Sequence, residues 1–317
     1  MNWKKKVAIA TAFTGMTISA IHIVNRVLSY NASRDNVLRI ASGFTYNWKF
    51  GKIFYKKMGI GSPLLLIHDL QAFSSSEEWN AVIGEFSKKH TVYAIDLLGC
   101  GRSEKPNIMY TNYLYLQMIN DFIKQVIGNK TNVISMGESS SFVLGACSNN
   151  KDIINKIIMV SPCSIKNLST VPTSSSKTAS WLVNSPILGT LLYHILYSKG
   201  RIRAYFNKEY FHVSDSYAKN MLDAFYESAH VEKSAGKHLA SSLIGRYTTA
   251  QVNAFIKNIE NSVYIISGDH KFDDLAIIEE YQNKLPSIEC TQILNCGALP
   301  QMDKSEEFLE HVSIYLS

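Results

Sequence analysis

Thr131-Asn132-Val133-Ile134-Ser135-Met136-Gly137-Glu138-Ser139-Ser140-Ser141-Phe142-Val143-Leu144-Gly145-Ala146-Cys147 runs from an apolar strand pattern, through small residues, into a helical pattern. Strand, small-x-Ser-x-small, helix is the sequence context of a nucleophile elbow. Such a turn strains the backbone of its central residue, so the neighbours two positions away on either side must be small. Among the serines only Ser139 meets this rule, with Gly137 two before it and Ser141 two after. Ser140 has Glu138 two positions back, and Ser141 has Val143 two positions on. A serine-rich helix N-cap fits the same letters, because serine oxygens satisfy free helix N–H groups. The surrounding chain weighs between the two.

Working outward, residues 43–57 read as two aromatic-rich strands turning near Gly51. Pro63–Ile67 is a continuous apolar run, as in a strand buried on both faces, and Thr91–Asp96 is another. Tyr113–Ile127 has helical spacing, and Lys156–Val160 is the next strand after the elbow helix. Strands alternating with helices imply a mostly parallel sheet with helices on both faces. The alternation stops at about Cys163. Residues 163–258 read as helical, with a Ser/Thr/Pro-rich lead-in at 169–180 and the apolar stretch 181–193. This is a helical cap, or lid, inserted into the α/β core. The alternation resumes with a strand at 262–266, a helix near 275–283, a strand at 290–294 and a closing helix at 305–315. The core is thus 43–162 plus 259–317.

With 317 residues the chain holds one large α/β domain with an insertion. The net charge of +6 comes from scattered lysines rather than one basic tract, and no nucleic-acid-binding signature is present. The five cysteines form no CxxC pair, and no His/Cys/Asp cluster has metal-ligand spacing. Gly99-Cys100-Gly101 lacks the later glycine of a phosphate-cradling loop. Neither a metal nor an organic cofactor is expected. At the N-terminus, Lys4-Lys5-Lys6 precedes an uncharged run, Val7–Val24, about long enough to span a bilayer. Residues 1–30 therefore read as a membrane anchor or signal-like helix. The sequence leaves open which side of the membrane the rest occupies, because lysines before the run and arginines after it nearly balance.

From about residue 43 onward the chain resembles the α/β-hydrolase superfamily, in particular its capped esterase, lipase and haloperoxidase-like group. Leu66-Ile67-His68-Asp69-Leu70 is similar to the His-Gly-x motif after the third strand, and Asp96-Leu97-Leu98-Gly99-Cys100-Gly101-Arg102-Ser103 matches the Asp-x-x-Gly-x-Gly-x-Ser signature. The resemblance implies Ser139 as nucleophile and the amides of Leu70 and Ser140 as oxyanion donors. It also exposes departures. Asp69 stands where a glycine is usual. The histidine position of the Gly-His-x-Pro context is Ala298, within Gly297-Ala298-Leu299-Pro300. The usual acid position, three residues after Gly268, is Lys271. The triad is degenerate. Lys271 in a serine–lysine arrangement, or His270 with Asp269 behind it, is the candidate replacement base.

Two functions follow as expectations. One is a serine hydrolase of weak or non-standard activity on an apolar carboxylic ester or acyl substrate at a membrane. The other is a non-catalytic pseudo-hydrolase that binds a small apolar ligand or a protein partner.

Overall fold

The computed structural model describes residues 3–38, 42–269 and 274–317. Helix α1 (Trp3–Ala32) leads into strands β1 (Phe44–Trp48), β2 (Gly51–Met58) and β3 (Ser62–Ile67). Helix α2 (Ile83–Phe86), β4 (His90–Ile95), α3 (Asn112–Phe122), β5 (Thr131–Met136), α4 (Ser139–Asn149) and β6 (Ile154–Val160) follow. Between β6 and the next strand lie helices α5 (Ile165–Leu168), α6 (Ser174–Asn184), α7 (Leu188–Leu196), α8 (Lys199–Tyr205), α9 (Lys219–Ser234), α10 (Lys237–Ile244) and α11 (Val252–Phe255). The chain closes with β7 (Val263–Gly268), α12 (Asp274–Gln282), β8 (Glu289–Ile293), α13 (Pro300–Asp303) and α14 (Ser305–Leu316).

The eight strands form one sheet in the order β1-β2-β4-β3-β5-β6-β7-β8. β1 and β2 are antiparallel, as is β2 against β4, and every other pairing is parallel. The apolar runs explain the parallel centre. Leu64, Leu65, Leu66 and Ile67 on β3, and Ile157, Ile158, Met159 and Val160 on β6, are all fully buried. Alternate residues therefore feed two separate cores, one on each face of the sheet. This is the α/β-hydrolase fold expected from the sequence, and all five cysteines in it are unpaired thiols.

The register brings Ile67, Ile95 and Ser135 level at the carboxyl edge, with Met136 beside Val160. In open α/β sheets that edge is where ligands bind. The loops that follow β3, β5, β7 and β8 meet there.

Among the described residues, α1 is the one helix long and apolar enough to cross a membrane, a test that signal sequences and buried core helices also pass. Its apolar stretch is not buried in the protein. Only its last third turns a face to the rest of the chain, where Asn25, Ser29 and Ala32 are buried at helical spacing. That face packs on α7 and α9.

Candidate active site

The turn between β5 and α4 is strained, but not at Ser139. Gly137 carries the left-handed conformation (φ 55°), Glu138 is already α-helical (φ −63°, ψ −30°), and Ser139 is the first residue of α4. The elbow therefore centres two residues earlier than the sequence suggested. Its small neighbours at two positions either side are Ser135 and Ser139, both fully buried. The Ser139 hydroxyl donates to the His68 carbonyl at 2.7 Å. This bond ties α4 to the loop after β3.

The oxyanion region is corrected in the same way. The amide of Ser140 is bonded to the Gly137 carbonyl within its own turn (3.3 Å) and does not converge with Leu70. The amides that do converge are those of Leu70 and Glu138. Both donate to one atom, Asp69 Oδ1, at 2.8 and 3.0 Å. A side-chain carboxylate of the chain itself thus holds the position a substrate oxyanion would take, with donors inside the range such a site requires. Gly137 is glycine for a second reason: a Cβ there would fall inside contact distance of Asp69 Oδ1. On its other side Asp69 accepts a hydrogen bond to Oδ2 from the Tyr210 hydroxyl at 3.3 Å.

The loop carrying Asp69 is braced from below. The Asp69 amide donates to Glu78 Oε2 at 3.0 Å. Glu78 is fully buried, and burial, reinforced by the nearby Asp69 charge, raises its carboxyl well above the usual range. His68 accepts the Leu97 amide at Nε2 (2.9 Å), so its Nδ1–H donates to the Asp69 carbonyl (2.6 Å). Burial pushes this imidazole down to about 4, so it stays neutral at ordinary pH. Asp96 anchors the signature loop. It accepts from the Ser76 amide (2.7 Å) and from the amide and Nε of Arg102 (2.8 Å each). Burial opposes ionisation of Asp96, but Arg102 outweighs it and keeps the carboxyl far below its usual range.

Of the other predicted site residues, Lys271 and His270 lie outside the described residues. Asp269 is described, and its carboxylate accepts the Cys296 amide at 3.1 Å, closing the loops after β7 and β8 on each other. Burial works against its ionisation, but backbone amides, that of Cys296 first, lower it overall. Ala298 stands in a loop stitched to the cap: its amide donates to the Glu209 carbonyl (3.0 Å) and that of Leu299 to the Tyr210 carbonyl (3.2 Å). A Cβ at the neighbouring Gly297 would run into the Tyr210 backbone. Tyr210 thus bridges from the histidine position to Asp69. Around it, the rings of Phe73, Tyr205, Phe206 and Phe225 pack with centroids 4.9–6.4 Å apart. Cap rings thus pack against the loop that carries Asp69.

His230 and His238 remain in the cap. His230 Nδ1 bonds the Tyr226 carbonyl (2.9 Å) and His238 Nδ1 bonds Asn184 Oδ1 (2.6 Å). Glu138 points its carboxyl into the protein, where burial, with a smaller contribution from Asp69, moves it up to about 7 against a hydrogen bond from Thr248.

The fold agrees with comparison to known proteins. The pattern described as the α/β hydrolase fold matches residues 62–305. The chain belongs to this family. A 2-hydroxy-6-oxo-6-(2'-aminophenyl)hexa-2,4-dienoic acid hydrolase of Metapseudomonas resinovorans is 30% identical over 108 residues, which cover 33% of this chain and 37% of that enzyme. A soluble epoxide hydrolase of Corynebacterium sp. (strain C12) is 27% identical over 109 residues, covering 34% of this chain and 37% of that one. The matched stretch thus spans little more than a third of each curated relative. Among solved structures, a membrane phospholipase A superposes with a TM-score of 0.68 at 17% identity, over 98% of this chain and 94% of that chain.

Proposed function

We propose that this α/β-hydrolase is a non-catalytic, membrane-anchored binding protein, the second of the two functions its sequence suggests. One observation carries the reading: Asp69 Oδ1 accepts both converging amides, Leu70 and Glu138, at the elbow. An oxyanion hole must be open to the substrate's developing charge. Here it is satisfied by a carboxylate held by three donors, two amides to Oδ1 and the Tyr210 hydroxyl to Oδ2, on a residue whose own amide is held by Glu78. A substrate carbonyl would have to displace a buried charge from two of its donors, which is costly. The residue at the strained turn, Gly137, has no side chain to act as nucleophile. The aromatic packing of Tyr205, Tyr210 and Phe73 further favours a closed cap. On this reading α1 fixes the protein to a membrane, and its ligands are met elsewhere than at the elbow.

The alternative is ester hydrolysis by Ser139, with Lys271 or His270 as base. It requires the Ser139 hydroxyl to leave the His68 carbonyl and Asp69 to vacate the two amides. A fluorophosphonate tests the two readings. The full-length protein in detergent, treated with the probe and weighed intact, should gain no adduct. A single adduct on the parent, absent from Ser139→Ala, would establish an activated Ser139 and overturn the non-catalytic reading.

A further inference from the structure

A sizeable opening in the described protein lies away from the elbow. It is a cleft of about 630 Å³ between the last third of α1 and the turn joining α6 to α7, closed on the far side by the start of α10. That volume is ordinary for a small-molecule site. Its charged lining is of one sign. Arg26, Lys233 and Lys237 face it, and no carboxylate is among its lining residues. Glu232, beside Lys233 in sequence, turns instead to accept the Lys105 amide at 3.3 Å. Lys237 is held by the Ser185 carbonyl (3.2 Å) and Thr190 Oγ1 (3.0 Å), which fixes one cation at the back of the cleft. Arg26 and Lys233 are exposed and form no ion pair among the described residues. The rest of the wall is mainly apolar, with Pro186 and Ile187 at its centre.

The wall is also strained. Ile187 sits at φ 56° and ψ −70°, a conformation a β-branched residue avoids, and Asn25 of α1 holds it there by donating to its carbonyl at 2.9 Å. The position along α1 is the decisive fact. Arg26 follows the uncharged run by two residues, so a bilayer spanned by Val7–Val24 ends at the level of the cleft. The cap beside it carries unburied apolar side chains, including Trp181 on α6, 71% exposed, and Leu188 on α7. Tryptophan at such a level is characteristic of a membrane interface.

From this juxtaposition we infer that the cleft binds the headgroup of an anionic phospholipid, its phosphodiester between Arg26 and Lys233 and its acyl chains along α1 and the exposed face of α6 and α7. The inference rests on the reading of α1 as an anchor. Guanidinium and ammonium groups are the side chains that recognise phosphate. A zwitterionic lipid would bring a quaternary ammonium into a cleft that offers no carboxylate, so selectivity for anionic lipid follows.

The test is native mass spectrometry of the full-length protein in detergent, titrated with phosphatidylglycerol or phosphatidylcholine, alongside Arg26→Gln/Lys233→Gln. Carbonate extraction of the expressing membranes is run in parallel on both proteins. The expected result is preferential retention of phosphatidylglycerol by the parent. The double variant should stay in the membrane pellet and lose affinity by about 25-fold, since each basic residue near an anionic surface contributes roughly a factor of five. Equal retention of both lipids, or undiminished retention by the variant, would overturn the site while leaving the anchor intact. Release of the parent by carbonate would instead overturn the anchor. Glycerol phosphate binding as tightly as phosphatidylglycerol would overturn the assignment to a lipid.

Discussion

Asp69 Oδ1 lies 3.0 Å from the Glu138 amide, across a gap of 69 positions in sequence. This bond joins the loop after β3 to the turn after β5. In a working acyl-transfer site those two elements are linked only through a bound substrate. The link is internal to the chain and uses the two amides that converge at the elbow.

Removing the carboxylate should therefore destabilise the protein. Asp69→Ala leaves two buried N–H donors without an acceptor, each costing about 1–3 kcal/mol. Asp69→Asn keeps an acceptor oxygen and should cost less. Urea midpoints for the two variants measure the difference, and equal losses would mean that the amides are not what Asp69 serves.

Gly137→Ala meets two penalties at once. A left-handed backbone costs a non-glycine residue about 1–2 kcal/mol, and the added methyl collides with Asp69. Gly84, on the exposed side of the short helix α2, has open space around its Cβ position and is the control. Its replacement by alanine should stabilise by about 0.5–1 kcal/mol. Thermal melts of the two variants should move in opposite directions.

Ser139→Ala should cost about 1 kcal/mol, the net worth of one hydrogen bond, and should leave any background ester cleavage unchanged. A fall in turnover with the fold retained would identify a chemical role for the hydroxyl.

The pH dependence of stability separates Glu138 from its surroundings. Its folded pKa, about 7, lies above the carboxyl's ordinary 4.5. The native state therefore holds this proton more tightly than the unfolded chain does. The resulting stability is fully present below about pH 4.5 and is lost as the pH rises towards 7. His68 acts in the opposite sense, since a folded value near 4 against 6.5 makes stability rise with pH over 4–6.5. The wild-type curve is thus partly cancelled across that window. Glu138→Gln should expose the steeper rise, and guanidinium titrations at pH 4.5, 5.5, 6.5 and 7.5 would measure it. Parallel curves for the two proteins would show that Glu138 titrates normally.

The fold was legible because its signals are long-range and redundant. The apolar runs of β3 and β6 could only be strands buried on both faces, and Asp96 through Ser103 fixed the loop between β4 and α3. The site was legible only in part. The departures at Ala298 and Asp69 from the family pattern stand in the sequence, but a rule that asks for serine at the elbow's centre selects Ser139. Ser135-Met136-Gly137-Glu138-Ser139 satisfies the same small-x-centre-x-small rule once glycine is admitted. A period of two inside a run of small residues gives no means of choosing between the registers. What chose was the tertiary contact with Asp69, which no local pattern encodes. The cleft at Arg26, Lys233 and Lys237 was hidden for a related reason: its walls come from positions more than 200 residues apart.

The attachment of α1 gives the molecule a mechanical property. α1 touches α7 and α9, and the cap touches the loop after β8 through Tyr210. A helix that tilts to match a thinner or thicker bilayer pulls on whatever its end is fastened to. With α1 in a bilayer, as proposed, that load falls on the cap and passes through Tyr210 to Asp69, which puts the carboxylate at the elbow in series with the membrane.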